Sequence, residues 1–213
     1  MKERYKHIRK TRLVQYLAAV AVLFIVASIV FSSLRNSYED LIEKHRKDKD
    51  LYFSSGEDSP LENKSSFKGL SYYPPDKAYL VTAQVFKLKD DSLLPVRRND
   101  GKRDLFSRYA RAQFQLNGRN FSLTLLKAPK DSGDKLHLFV PFADLTNGNE
   151  TYETGRYLDL AYAGGNTIEI DFNLAYNPFC AYSYAFSCPL PPKENVLDTE
   201  IKAGEKKYLP GGQ

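Results

Sequence analysis

The stretch ARAQFQLNGRNFSLTLLK, residues 110–127, decides the fold. It holds two runs of alternating apolar and polar residues joined by Asn117-Gly118. That dipeptide favours a two-residue type I′ turn, because both residues tolerate positive φ. Setting Leu116 opposite Arg119 places Phe114 against Phe121 and Ala112 against Leu123 on one face. The other face then pairs Gln113 with Ser122 and Arg111 with Thr124. One side is oily and the other wet, the pattern of an antiparallel pair buried on one face.

Working outward, AYLVTAQVFKL (78–88) is rich in β-branched and aromatic residues without a helical period, and predicts a largely buried strand. KLHLFVPF (135–142) predicts another, with Pro141 marking its end or an edge position. RYLDLAYAGGNTIEIDFN (156–173) reads as a second hairpin, in which Leu158, Leu160 and Tyr162 share a face with Ile168, Ile170 and Phe172. The two registers that satisfy this set either Asp171 or Glu169 opposite Asp159. Like charges so opposed destabilise a sheet and need compensation. Repeated short strands with Gly, Asn and Pro turns predict an all-β domain, mainly an antiparallel β-sandwich or partly closed barrel.

Charge is unevenly spread along the chain. The chain has 213 residues with 31 Lys and Arg against 26 Asp and Glu. Residues 1–34 carry six cations and one acid, so the remainder is electroneutral with 25 of each sign. The basic balance therefore belongs to a tail, and a nucleic-acid partner is not expected, because phosphate binding needs surplus cations on the binding domain. Residues 13–34, LVQYLAAVAVLFIVASIVFSSL, contain no charge. As a helix they extend about 33 Å, enough for a hydrocarbon core of about 30 Å. A cleaved signal is the rival reading, but the run exceeds the usual 7 to 15 residues of such a core, and no A-x-A-like site follows. The cations in the first twelve residues hold that end in the cytoplasm. The expected organisation is a cytoplasmic tail (1–12), a transmembrane helix (13–34), a juxtamembrane helix and linker (35–66) and a β-rich extracytoplasmic domain (67–213), tethered to a bacterial cytoplasmic membrane. Ser37 followed by Asp40 resembles a capping box and predicts a short helix after the membrane, with a charged, solvated face.

The chemistry is sparse. No P-loop, nucleophile elbow, H-E-x-x-H or Rossmann glycine pattern occurs, and of three histidines only His137 lies in the β domain. Cys180 and Cys188 are too few, with one histidine, for a four-ligand zinc set. Outside the cytoplasm a disulfide is the simpler expectation, with free buried thiols or a metal site as alternatives. Asp159 with Asp171 or Glu169 offers a shared metal ion or a shared proton, or an acid pair neutralised by Arg156. Tyr176, Tyr182 and Tyr184, with Phe179 and Phe186, form either a stacking platform or a core cover with hydroxyls at its rim.

PFADLTNGNETYETGRYLDL, IEIDFNLAYNPFCAYSYAFSCPLPPKENVL, IKAGEK and FKGLSYYPPDKAYLVTAQV together resemble the bacterial and archaeal family called domain of unknown function 1684, over roughly residues 38–207. The resemblance implies a β-rich domain, often exported or membrane-attached, and no established reaction, cofactor or partner. It carries over the positions Asp144, Glu150, Tyr152, Arg156, Asp159, Asp171, Asn173, Tyr176, Asn177, Tyr182, Glu194 and Asn195 as a polar cluster beside the loop that holds Cys180 and Cys188. Several members have tryptophans before the sheet; this chain has none. The expected function is a non-catalytic binding or assembly module for an envelope protein or glycan, without a cofactor or bound metal. The competing expectations are a metal- or carboxylate-dependent hydrolase using Asp159, Asp171 and Glu150, with Arg156 on an anionic group, and a purely structural envelope protein.

Overall fold

The computed structural model describes residues 2–88, 93–127 and 136–210, and in the first helix the side chains of residues 16–17, 19–30 and 37–55. The Asn117-Gly118 hairpin forms in the expected register. Strands β3 (Arg103–Leu116) and β4 (Arg119–Lys127) pair antiparallel, with Leu116 opposite Arg119, Phe114 opposite Phe121 and Gln113 opposite Ser122; the strands are numbered in chain order after β1 (Leu80–Lys87) and β2 (Leu93–Arg97). Both turn residues take positive φ, 50° and 74°, as a type I′ turn requires.

β3 is longer than its alternating stretch: its second half pairs with β1 and its first half with β2. β5 (Leu136–Phe142), β6 (Arg156–Tyr162) and β7 (Thr167–Asp171) complete an antiparallel sheet in the order β6-β5-β4-β3-β1-β7, with β2 branching from β3. β6 and β7, at the two ends of that order, approach each other without a hydrogen-bonded ladder, so the sheet is a nearly closed barrel. Leu123, Leu125, Leu138, Val140, Leu158, Ile170 and Phe172 fill it, and Leu197, Ile201 and Ala203 from the C-terminal segment close the packing.

This seam corrects the second hairpin. β6 and β7 do keep their oily residues on the inner side, but β6 pairs with β5 and β7 with β1. Asp159 therefore faces Phe139, and Asp171 faces Leu80, so no acid opposes Asp159 across a ladder. Shared burial is satisfied by closing the barrel, and it does not require direct pairing. Pro141 sits next to the end of β5. Its carbonyl points toward β4 and accepts a bond from Asn195, so the side lacking an N–H faces a place where the β4–β5 ladder has already stopped.

The helix α1 runs unbroken over Lys2–Ser55, so no new helix starts at Ser37. The chain forms two compact units, residues 1–44 and 45–213. In the second unit the end of α1 is not a solvated stalk. Arg46 donates to the Tyr73 carbonyl at 2.8 Å, Asp50 accepts from the Leu70 N–H at 3.0 Å, and Phe53 is buried against the rings of Phe67 and Tyr182. In the first unit Leu17, Phe24 and Ile29 are 61%, 78% and 63% exposed. Among the described residues no helix is long and apolar enough to cross a membrane; the side chains of 13–15, 18 and 31–34, which belong to the expected spanning run, lie outside them.

Candidate functional site

Arg156 opens β6 completely buried. Its guanidinium donates to Asp144 Oδ2 at 2.8 Å and to the carbonyls of Ile201 (2.8 Å), Ala203 (2.5 Å) and Glu205 (3.2 Å). The other oxygen of Asp144 accepts from the Thr146 N–H at 2.9 Å, the Thr146 hydroxyl at 2.6 Å and the Ile201 N–H at 3.2 Å. A planar cation with five donors is suited to this job of tying down several carbonyls at once. It fixes a C-terminal segment that has no ladder of its own. Gly155, at φ 111°, lies where a Cβ would come within 2.5 Å of the Phe142 carbonyl oxygen.

Glu205 is the second anchor, also fully buried. Its carboxylate takes the Lys49 ammonium at 2.6 Å, the Asn177 side-chain amide at 2.8 Å and the Tyr182 hydroxyl. Next to it Gly204, at φ 75°, packs so tightly that a Cβ would meet the carbonyl oxygens of Ala175 and Phe172 at 2.6 and 2.7 Å. Two further amides replace backbone partners. Asn173 exchanges bonds of 2.8 Å with the N–H and C=O of Asp76. Asn195 accepts from the Thr124 N–H at 2.6 Å and donates to the carbonyls of Thr124 (3.0 Å) and Pro141 (2.9 Å), bridging β4 and β5 where they diverge.

The polar residues expected to form one cluster are thus distributed through several structural contacts. Asp159 accepts from the Tyr176 hydroxyl at 2.5 Å on the outer face of β6; Asp171 caps the turn that carries Asn173. Glu150 lies 3.8 Å from Lys202, and Glu194 3.4 Å from Arg108. Arg156 neutralises Asp144 and not Asp159. Among the described residues no three His, Cys, Asp or Glu side chains are grouped to hold a metal ion. His137 is exposed on β5. Glu205 and Lys49 were not expected; Glu205 stood within IKAGEK, whereas nothing distinguishes Lys49 from its charged neighbours in sequence.

The expected disulfide is corrected: Cys180 and Cys188 are free, buried thiols. They are neighbours, the Cys180 N–H pointing at Cys188 Sγ at 3.2 Å, and Tyr152 donates to the Cys180 carbonyl at 3.3 Å. A hydrogen bond between the two thiols, with Cys180 donating, lowers Cys188 to about 7, helped by the Cys180 N–H and Arg98, while the same thiol bond and burial push Cys180 up. The loop is held by other means. Asn99 accepts from the Cys188 N–H at 2.8 Å, the Leu190 N–H donates to the Arg97 carbonyl at 2.7 Å, and Tyr157 donates to the Pro189 carbonyl. The segment from Cys188 to Leu190 is thereby fastened to the end of β2 and the two residues that follow it.

The tyrosines of this segment differ in burial. Tyr157, Tyr176 and Tyr182 cover the core or bind within it, and burial, followed in the last two by Asp159 and Glu205, raises their hydroxyls. Tyr184 instead is fully exposed. It stands at the rim of a cavity of about 300 Å³ walled by Tyr152, Tyr182 and Tyr208, with Glu153 and Lys207 at its mouth 3.8 Å apart. That volume is at the lower end for small-molecule sites and takes one ring or one side chain.

Among curated proteins the chain has no significant match. It is similar to an uncharacterized protein of Haloarcula marismortui solved by solution NMR, at 37% identity and a TM-score of 0.64, over 82% of this chain and 96% of that one. Residues 65–206, which include every buried anchor in the sheet and C-terminal segment, match the model described as Protein of unknown function (DUF1684), and the chain belongs to that family.

Proposed function

We propose that the chain is a non-catalytic binding or assembly module, tethered by residues 13–34 to a bacterial cytoplasmic membrane with its β domain outside, and that the tyrosine-walled cavity seats part of an envelope partner. The observation that carries this reading is Tyr184, a fully exposed aromatic ring at the rim of a cavity whose wall tyrosines Tyr182 and Tyr152 are hydrogen-bonded to Glu205 and to the Cys180 carbonyl. An amphipathic ring left in water at a rigid rim is what binding surfaces use as an anchor. The exposed apolar side chains of α1 and the basic first twelve residues support the tether. The hydrolase reading draws less support, because Asp159, Asp171 and Glu150 are engaged separately by Tyr176, Asn173 and Lys202.

The test places a photo-crosslinking amino acid at Tyr184, or at the exposed Leu145 as a control, in the full chain expressed in cells. An adduct with an envelope component at position 184 and none at 145 is expected, together with cleavage of the β domain by protease added to spheroplasts. Protection from that protease, or no adduct specific to position 184, overturns the proposal.

A further inference from the structure

Part of the outer face of the barrel is covered by the chain itself. The turn Lys193–Asn195 lies against β4 and β5, and Thr124, which points outward on β4, is buried with its backbone bonded to Asn195. Nearer the Asn117-Gly118 turn, from the last β1–β3 pair Gln84–Gln113 onward, the outer face is open. It forms a depression of about 640 Å³, lined by six polar residues, Thr82, Gln84, Gln113, Gln115, Asn120 and Ser122, and by Phe114 and Phe121.

Register arranges these side chains in rows. Gln84, Gln113 and Ser122 lie opposite one another across three strands, with Thr167 of β7 continuing the row, and Gln115 lies opposite Asn120 in the next. Neighbours in a row are about 4.8 Å apart and successive rows roughly 7 Å apart. Every one of the six is an uncharged carboxamide or hydroxyl, in a chain with 27% charged residues. Charge borders the patch without entering it: on the same face the exposed Glu169 lies opposite Thr82 and the exposed Arg111 opposite Phe86. Phe86, on the same face of β1 two residues beyond Gln84 and opposite Arg111, is 51% exposed and offers an apolar platform just outside the depression.

The chemistry of this face narrows its occupant. Phosphates and anionic polymers require cations, which the depression lacks. An added peptide strand binds a sheet edge through its backbone, whereas the six polar side chains stand on the face of the sheet. Carboxamides and hydroxyls each present donors and acceptors without charge, which matches a ligand that does the same through many adjacent hydroxyls. We propose that this face binds a neutral glycan chain, its hydroxyls bonded to the carboxamide rows and a sugar ring laid on Phe86. The site is separate from the cavity at Tyr184; the proposal uses the extracytoplasmic placement only for the ligand's origin.

The full chain in lipid nanodiscs, which avoids sugar-based detergents, is titrated with maltohexaose, cellohexaose, mannohexaose and, as an anionic control, hexagalacturonate. Binding of at least one neutral oligosaccharide and not of hexagalacturonate is expected. The double variant Gln113→Ala/Gln115→Ala is expected to weaken that binding about tenfold or more. Both side chains are exposed, so its thermal midpoint should match the parent. Absence of neutral-glycan binding, preference for the anionic control, or unchanged affinity in a folded double variant overturns the proposal. The Tyr184 adduct reads a different site, so its persistence while glycan binding fails removes this inference and leaves the earlier one standing.

Discussion

Arg156 and Arg119 each meet a carboxylate, and their surroundings reverse what the pair is worth. Arg119 and Asp198 are 57% and 85% exposed and 3.3 Å apart, a contact that water and salt screen to about 1 kcal/mol or less. Arg156 and Asp144 are both fully buried, and losing the arginine strands a carboxylate and three carbonyls in the interior. Arg156→Met is therefore expected to cost about 3–5 kcal/mol, and Arg119→Met about 1 kcal/mol or less, measured by urea unfolding of the two variants side by side. Equal, small losses would mean that the buried network is not what holds the C-terminal segment. The sequence marks Arg156 as a member of a family pattern, but its carboxylate, Asp144, lies 12 residues before it and its carbonyl partners 45 to 49 residues after it in a segment without regular structure. Nothing in local spacing announces that distance, which is why Asp159, only three residues away, was the natural candidate. The same limit applies to Glu205 and Lys49, which are 156 residues apart.

Elements were legible where alternation and turn chemistry act locally. The β3–β4 register follows from Asn117-Gly118 and the inward phenylalanines, and the structure agrees residue for residue. β2 was not legible: LLPVR does not alternate cleanly, and its proline is tolerated because the strand pairs on only one side with β3. The β6–β7 register failed for a different reason, since a common buried face is compatible with either a hairpin or a seam, and only the strand order distinguishes them. The divergence of β4 from β5 is likewise a tertiary event. Their ladder consists of two residue pairs, after which the Asn195 carboxamide substitutes for a strand partner. Asn195→Ala leaves the Thr124 N–H and the Pro141 carbonyl buried without this partner, and is expected to cost about 2–4 kcal/mol. Amide hydrogen exchange should show the loss at Thr124 first, while the β3–β4 pairs near the Asn117-Gly118 turn keep their protection. Uniform loss across the sheet would instead indicate that Asn195 acts through global stability alone.

For the whole molecule the composition already indicated something that the structure makes specific: fifteen tyrosines and no tryptophan leave much of the aromatic burial to rings that carry a hydroxyl. Tyr73 is raised to about 12, chiefly by burial and then by Glu150, and burial raises Tyr152, Tyr157, Tyr176 and Tyr182 further. In the unfolded chain these groups titrate near 10. A phenol with a raised value in the native state stays protonated while its unfolded counterpart ionises, so above pH 10 the unfolded state binds fewer protons and stability falls as pH rises. The contribution is fully present below about pH 10 and disappears as pH climbs through the folded values, at up to about 1.4 kcal/mol per pH unit for each tyrosine. Several acting together exhaust a typical domain stability of about 5–15 kcal/mol within roughly one to three pH units. Urea midpoints of the full chain should therefore be flat from neutral pH to about 9 and drop steeply above about 10, with most tyrosinate absorbance appearing only as the fold is lost. Smooth ionisation of nearly all tyrosines near pH 10 with the far-ultraviolet signal intact would show that these hydroxyls are accessible to water, and that the rigid polar shell around the barrel is looser than its hydrogen bonds require.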